Sequence, residues 1–286
     1  MTSSASKEIV VWETSAINNL VRLRECDDLI ARMRAAYTHW LPMYIFDEIA
    51  EAQSSQERRR LLDICRQLKG DCTWVLKTPG LLIQEAIAIY STCGKVDWNG
   101  ILKPQPNYEQ AIASGIVFDD DLSRVQRPQI QGLLNQAEEF FQNSRGAYGH
   151  YFQSGPDRPT TIEDIVEKAR STHLVGRNVQ HFFRVILQQE IELQRAECFA
   201  RVFPPITSVI YSFLFAHYRR NDSKAEQKRK AAGAIDLLAA AYLPLCHKYV
   251  SDDRDQQRVF RDVVKHCALR AEVVWFSGDF RKRFAN

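Results

Sequence analysis

The sequence lacks most of the features that identify an exported, membrane-bound or zinc-binding protein. Its seven cysteines are scattered and none forms a C-x-x-C pair, which argues against a disulfide framework and a structural zinc site. No apolar run approaches the 18 residues that a membrane-spanning helix needs, so we expect no membrane partner. A net charge of only +3 requires neither a nucleic acid nor a lipid surface as partner. These absences predict a soluble cytoplasmic protein.

The familiar signatures of several enzyme classes are also missing. There is no G-x-G-x-x-G, no phosphate-binding P-loop, no G-x-S-x-G and no H-E-x-x-H, and the seven histidines lie far apart. What remains is an ordinary globular composition, with 45% apolar and 26% charged residues in 286. The chain is long enough for one large domain or for a domain that carries an insertion.

The most informative stretch is 233–255. Between positions 231 and 243 every residue is apolar or glycine except Asp236, which predicts a buried helix that stops at Pro244. A lone carboxylate in such a helix is unfavourable unless a cation or another group pairs with it. A short strand at 247–250 then ends on Ser251, Asp252 and Asp253, close enough in sequence to share that cation. This stretch therefore suggests a carboxylate-lined metal site.

Acids also follow the strands predicted at the beginning of the chain. Residues 8–12 form a β-rich run that ends at Glu13, and Thr14 or Ser15 can cap the helix that follows. A second strand predicted at 42–46 leads into a helix with Glu48 in its first turn, and a third is predicted at 72–76.

The middle of the chain is predicted to be helical. From 78 to 223 strand signals are scarce, and Gly176 is predicted to separate one helix from a long one at 177–202. Alternation of strand and helix resumes afterwards, with a last strand at 271–276. We therefore predict an α/β core built from 1–77 and 224–286, with one parallel sheet, interrupted by a helical insertion at 78–223.

Four acids are expected to meet at one edge of this sheet: Glu13, Glu48, Asp236 and Asp253. The carboxyl ends of parallel strands share an edge, and carboxylates gathered there repel one another unless divalent cations bind. Oxygen ligands favour Mg²⁺ or Mn²⁺, and two such ions can support phosphodiester cleavage. Spacing alone leaves open whether Asp252, Asp253 or Asp255 is the fourth acid.

Four pieces of sequence, in this order, resemble the PIN domain of metal-dependent nucleases. They are Val11-Trp12-Glu13-Thr14-Ser15, Tyr44-Ile45-Phe46-Asp47-Glu48-Ile49, Asp236-Leu237-Leu238-Ala239-Ala240-Ala241 and Val250-Ser251-Asp252-Asp253. The resemblance implies an α/β/α sandwich that cleaves single-stranded RNA with metal-bound water. It implies that Asp236 and Asp253 bind metal, that Glu13 and Glu48 complete the pocket, and that Ser15 and Ser251 contribute hydroxyls.

The sequence therefore predicts an endoribonuclease, with two alternatives left open. The family normally has Asp where this chain has Glu13, so a catalytically weakened scaffold that binds RNA or protein is the first alternative. A structure-selective DNA nuclease is the second. Lys228, Arg254 and Arg258 are candidates for holding the RNA backbone. The helical insertion is a candidate surface for a regulatory protein or for self-association.

Overall fold

The computed structural model describes residues 7–52, 54–70, 75–103, 148, 159–222 and 233–284. Its centre is a five-stranded sheet in which every neighbouring pair is parallel, in the order β3-β2-β1-β4-β5. The strands are β1 (Glu8–Trp12), β2 (Tyr37–Pro42), β3 (Val75–Leu76), β4 (Lys248–Ser251) and β5 (Glu272–Trp275). Both ends of the chain contribute strands, which confirms the predicted α/β class and the parallel sheet.

Strand β1 lies at the middle of the sheet, where the direction of winding reverses. The chain leaves β1 toward β2 and β3 on one side, and it returns to the other side of β1 with β4 and β5. Val10 pairs with Lys248, Trp12 pairs with Val250, and the Glu13 amide donates to the Val250 carbonyl at 3.0 Å. In open parallel sheets, ligands bind at such a reversal, beyond the carboxyl ends of the strands.

The second strand is not where the sequence suggested, because β2 ends at Pro42 and a helix begins at Met43. Four helices occupy this part of the chain: α1 (Thr14–Leu20), α2 (Cys26–Ala36), α3 (Met43–Glu51) and α4 (Ser55–Lys69). The prediction of a strand at 42–46 is wrong because a short apolar run suits a buried helix as well as a strand. Glu48 consequently lies in the second turn of α3, beyond its first turn.

All described secondary structure between β3 and residue 222 is helical. The helices are α5 (Pro79–Cys93), α6 (Trp98–Leu102), α7 (Ile162–Ser171), α8 (Leu174–Leu187), α9 (Leu193–Val202) and α10 (Pro204–Asp222). Within the described residues no single helix is long and apolar enough to cross a membrane. Only α9 and α10 taken together, bent by 101°, pass that test.

Gly176 lies inside α8 and does not separate two helices, as the sequence had suggested. A Cβ atom at this position would lie 2.7 Å from Cδ1 of Leu193, so glycine allows α8 and α9 to approach closely. The predicted helix at 177–202 is also interrupted, since α8 ends at Leu187 and α9 begins at Leu193. Close packing, which the local pattern does not reveal, therefore explains this glycine.

The last part of the chain returns to the sheet. It contains α11 (Ala234–Leu238), a 3₁₀ helix (Ala239–Leu245), α12 (Arg254–His266) and a π-helical turn (Phe276–Phe280). The single helix predicted up to Pro244 is thus a short α-helix followed by a 3₁₀ helix that includes the proline. The buried Ser212 hydroxyl of α10 donates to the Leu237 carbonyl at 2.9 Å, which ties the helical segment to the core.

Candidate carboxylate site at the ends of β1 and β4

Glu13 is the first residue after β1 and the N-cap of α1, a role that the sequence had suggested for Thr14 or Ser15. Its backbone is extended, and its side-chain Oε2 accepts a hydrogen bond from the Ser15 amide at 2.8 Å. The residue is only 5% exposed. The end of the strand therefore holds a glutamate side chain inside the molecule, at the reversal point of the sheet.

Two serine hydroxyls connect this carboxylate to the end of β4. The Ser15 hydroxyl donates to Glu13 Oε2 and accepts from the Asp252 amide at 2.9 Å. The Ser251 hydroxyl lies 3.4 Å from the same Oε2 and accepts from the Asp253 amide at 3.0 Å. No described residue donates a hydrogen bond to the second oxygen, Oε1. Ser15 and Ser251 therefore orient Glu13 and leave one of its oxygens available.

Asp253 is the N-cap of α12. Its Oδ1 accepts from the amides of Asp255 and Gln256 at 2.8 and 2.9 Å, while Oδ2 accepts no hydrogen bond from the described residues. Capping by aspartate is common at helix starts and needs no function by itself. The cap nevertheless fixes the Asp253 carboxylate at the carboxyl end of β4.

Asp236 lies in the first turn of α11, and its position is held through both its side chain and its main chain. Its Oδ2 accepts from the Gly233 amide at 2.7 Å. Its carbonyl accepts from Nε2 of Gln256, a fully buried side chain, at 3.0 Å. Gln256 thus joins the start of α12 to α11, so that Asp236 and Asp253 are held by the same residue.

The charges of these acids act on one another. Burial is the largest cause that raises the pKa of Glu13, and the negative charges of Asp236 and Asp253 raise it further. Hydrogen bonds from Ser15 oppose them, and the resulting pKa is about 7. Neither Glu13 nor Asp253 forms an ion pair with a lysine or arginine among the described residues. Three carboxylates that the sequence predicted to converge therefore influence one another electrostatically.

Two buried tyrosines that the sequence pattern did not single out lie beside this site. The hydroxyls of Tyr44 on α3 and Tyr249 on β4 are 3.2 Å apart. Burial raises both pKa values well above the usual value, and the charge of Glu13 contributes to each. Glu48 follows Tyr44 by four residues, so it lies on the same face of α3, one turn further along. Glu48 itself is half-buried.

Asp252 belongs to a different set of contacts, although it was predicted as a metal ligand. Its Oδ2 accepts from Nδ2 of Asn19 at 2.7 Å and from the Ser277 hydroxyl at 2.7 Å, and its Oδ1 accepts from the Ser277 amide at 2.9 Å. It therefore connects α1 to the end of β5. Asp255 pairs with Arg258 at 3.3 Å. Of the three neighbouring acids, Asp253 is the one whose charge raises the pKa of Glu13.

The predicted basic residues have different environments. The Arg254 guanidinium lies 4.7 Å from the centre of the Trp275 ring, at the end of β5. Arg258 is engaged with Asp255, and Lys228 lies outside the described residues. Trp275 was not predicted to have a role, although its place at a strand end was a usable signal. Arg254 and Trp275 thus form a cation–π pair beside the acids.

The donor set consists of oxygen atoms, which suits Mg²⁺ or Mn²⁺. As positioned, the described side chains include no group of three or more His, Cys, Asp or Glu that could hold a metal ion. Two buried polar atoms of residues beside these acids have no hydrogen-bond partner among the described residues: Thr14 Oγ1, directly after Glu13, and Gln256 Oε1. The chemistry of Glu13, Asp236 and Asp253 fits a hard cation, and Gln256 Oε1 could accept a hydrogen bond from one of its water ligands.

Comparison with protein-family models, with curated proteins and with solved structures gives no match to this chain.

Proposed function

We propose that this protein is a metal-dependent endoribonuclease with a PIN-like core that cleaves single-stranded RNA. One observation carries the proposal: the 5%-exposed carboxylate of Glu13 lies at the reversal point of a parallel sheet, where burial, together with the charges of Asp236 and Asp253, raises its pKa to about 7. Such a set is unfavourable when fully ionised, and a divalent cation is the counter-charge that would stabilise it.

Each residue of the site has a role in this proposal. Asp236 and Asp253 would hold the ion, Glu13 would add its Oε1, and Glu48 would complete the pocket. Bound Mg²⁺ or Mn²⁺ supplies an activated water and a positive charge near the leaving oxygen. Ser15 keeps Glu13 oriented through its amide and hydroxyl.

Binding of the RNA would use the surface next to the acids. Arg254 is exposed and can contact a phosphate while it stays stacked on Trp275. The exposed guanidinium plane of Arg254 can also stack on an unpaired base, an interaction with little sequence preference. This arrangement favours a single-stranded substrate.

The test is cleavage of labelled single-stranded RNA with Mn²⁺, by the parent protein and by Asp236→Asn. We expect the substitution to lower the rate at least about 100-fold, because a metal ligand is lost while the fold is kept. Asp279→Asn, which changes an exposed acid outside the site, is the matched control and should leave the rate unchanged.

Equal rates for the parent and a folded Asp236→Asn variant would refute the proposed metal site. The same assay with single-stranded and branched DNA in place of RNA shows whether RNA or DNA is the preferred substrate. Faster cleavage of branched DNA would favour the structure-selective DNA nuclease.

A second function, a scaffold that binds RNA or protein without cleaving it, is also supported by an observation. The Glu13 carboxylate already accepts hydrogen bonds from Ser15, and Asp253 caps α12, so these acids are held without an ion. A melting temperature that stays constant as Mn²⁺ is added to the millimolar range would favour the scaffold. An increase in melting temperature would favour the nuclease, because a ligand that binds only the folded state stabilises it.

A further inference from the structure

A cavity of ≈ 630 Å³ lies between the helical segment and the end of α12, away from the acids. Residues from α7, α8, α9 and α10 line it, and residues 266–269 at the end of α12 close it from the core side. Its volume is within the range of sites that hold small organic molecules, about 300 to 1,000 Å³. The cavity is thus a candidate ligand site that joins the helical segment to the core.

The wall of this cavity combines an apolar surface with basic groups. Leu174, Ala200, Pro204, Tyr211 and Leu269 supply much of the apolar part. Arg170 and Arg201 supply two positive charges. Glu197 is the acid that lines the cavity, and its Oε1 is 2.7 Å from Nδ1 of His173. The balance of charge therefore favours an anion.

Arg170 is the basic residue best placed to bind that anion. Arg170 and Cys267 both line the cavity; burial raises the pKa of the Cys267 thiol to about 12, and the positive charge of Arg170 acts in the opposite direction. Arg170 is exposed, and no described residue forms an ion pair or a hydrogen bond with its side chain. Arg201, in contrast, already donates to Sγ of Cys198 at 2.9 Å. A guanidinium without a partner can form two parallel bonds to a carboxylate or phosphate.

The start of α8 adds to the positive potential. This helix of 14 residues begins at Leu174, and its first three residues, 174–176, line the cavity. Its N-cap, His173, makes no side-chain capping hydrogen bond. The first amides of a helix lack intrahelical acceptors and carry the positive end of its dipole. These amides therefore complement the two arginines.

We propose that this cavity binds a small organic anion, in which an acidic oxygen group contacts Arg170 and Arg201 and an apolar or aromatic body lies against Ala200, Tyr211 and Leu269. The site is separate from the carboxylate site and does not depend on nuclease activity. We expect both parts of the ligand to be needed, because the lining residues include two arginines and several apolar side chains.

Two fluorescent probes test this requirement, since they share an aromatic body and differ in charge. One is 1-anilinonaphthalene-8-sulfonate, and the other is neutral N-phenyl-1-naphthylamine. The full-length protein should bind the sulfonate saturably with one-to-one stoichiometry, and the neutral probe at least about tenfold more weakly. Inorganic phosphate alone, which lacks the apolar body, should not displace the sulfonate.

The variants Arg170→Gln and Arg201→Gln should each weaken sulfonate binding at least about tenfold, the loss expected for a charge-assisted hydrogen bond. Both arginines are exposed, so neither change threatens folding, which the melting temperature checks. Arg177→Gln removes an exposed arginine of α8 that does not line the cavity, and it should bind like the parent.

Three results would overturn the proposal. Equal affinity for the two probes would show that apolar surface alone is responsible. Equal affinity of the Arg170→Gln, Arg177→Gln and parent proteins would place the probe elsewhere. Displacement of the sulfonate probe by inorganic phosphate would show that the site binds an oxyanion whether or not it carries an apolar body.

Discussion

Replacing Glu13 with glutamine should stabilise the metal-free protein at alkaline pH. The pKa of Glu13 is about 7 in the folded protein and 4.5 in an ordinary environment. Between pH 4.5 and about 7, Glu13 is ionised in the unfolded chain but still protonated in the folded protein. Stability therefore falls as the pH rises from 4.5 to about 7, and the full loss is present above pH 7.

The difference between 4.5 and about 7 corresponds to about 3 kcal/mol, at 1.36 kcal/mol for each pKa unit. Glutamine has the same shape, so the amide and hydroxyl of Ser15 can still donate to its oxygen. Its amide group carries no charge for Asp236 and Asp253 to repel. We therefore expect Glu13→Gln to raise the free energy of unfolding by up to about 3 kcal/mol at pH 8.

Urea unfolding followed by circular dichroism, in EDTA at pH 4.5 and pH 8, measures this difference. The increase in the free energy of unfolding of Glu13→Gln should be near zero at pH 4.5 and complete at pH 8, where it corresponds to an increase in melting temperature of about 6 °C. Glu167→Gln, a change to an exposed glutamate of α7, is the control and should have no effect at either pH. Added Mn²⁺ should stabilise the parent more than the variant.

Loss of stability in Glu13→Gln at pH 8 would refute this reasoning, because the ionised carboxylate would then be favourable where it lies. A gain of the same size at both pH values would also contradict it. In that case packing or hydrogen bonding, and not charge, would be the cause.

Three further predictions concern neighbouring residues. His39 lies buried on β2, where its Nδ1 accepts a hydrogen bond from Trp12 Nε1 at 2.9 Å. Burial lowers its pKa to about 4, so the free energy of unfolding should rise by about 3 kcal/mol between pH 4 and 6.5, opposite in sign to the effect of Glu13. Urea unfolding of Glu13→Gln should reveal this rise, and adding His39→Gln should remove it. Asp252→Ala should lower the free energy of unfolding by about 2 kcal/mol, because it removes the acceptor of Asn19. Mn²⁺ should still raise the melting temperature of this variant. Loss of that increase would show that Asp252 is a metal ligand. Arg254→Ala should weaken binding to RNA of any sequence, and it should reduce the slope of log binding constant against log salt concentration by about one. An unchanged slope in fluorescence titrations would show that Arg254 does not contact the RNA.

The sequence by itself determined much of the sheet and the nature of the acids. Short β-rich runs located β1, β4 and β5 to within a residue or two, because strands buried on both faces are rich in valine and aromatic residues. It also indicated that Glu13 and Asp253 follow strands. Because parallel strands place their carboxyl ends at one edge, it could predict that these acids approach one another although about 240 residues separate them.

Tertiary structure decided between alternatives that the local sequence pattern could not distinguish. The apolar run after Pro42 suits a strand or a buried helix, and packing selected a helix, which carried Glu48 into its second turn. Alternation along β4 could not decide between Asp252 and Asp253; the partners Asn19 and Ser277, distant in sequence, engaged Asp252. The pKa of Glu13 likewise depends on burial and on charges from other elements. Periodicity reports which residues are neighbours along the chain, whereas burial, electrostatic coupling and cavities arise only where distant segments meet.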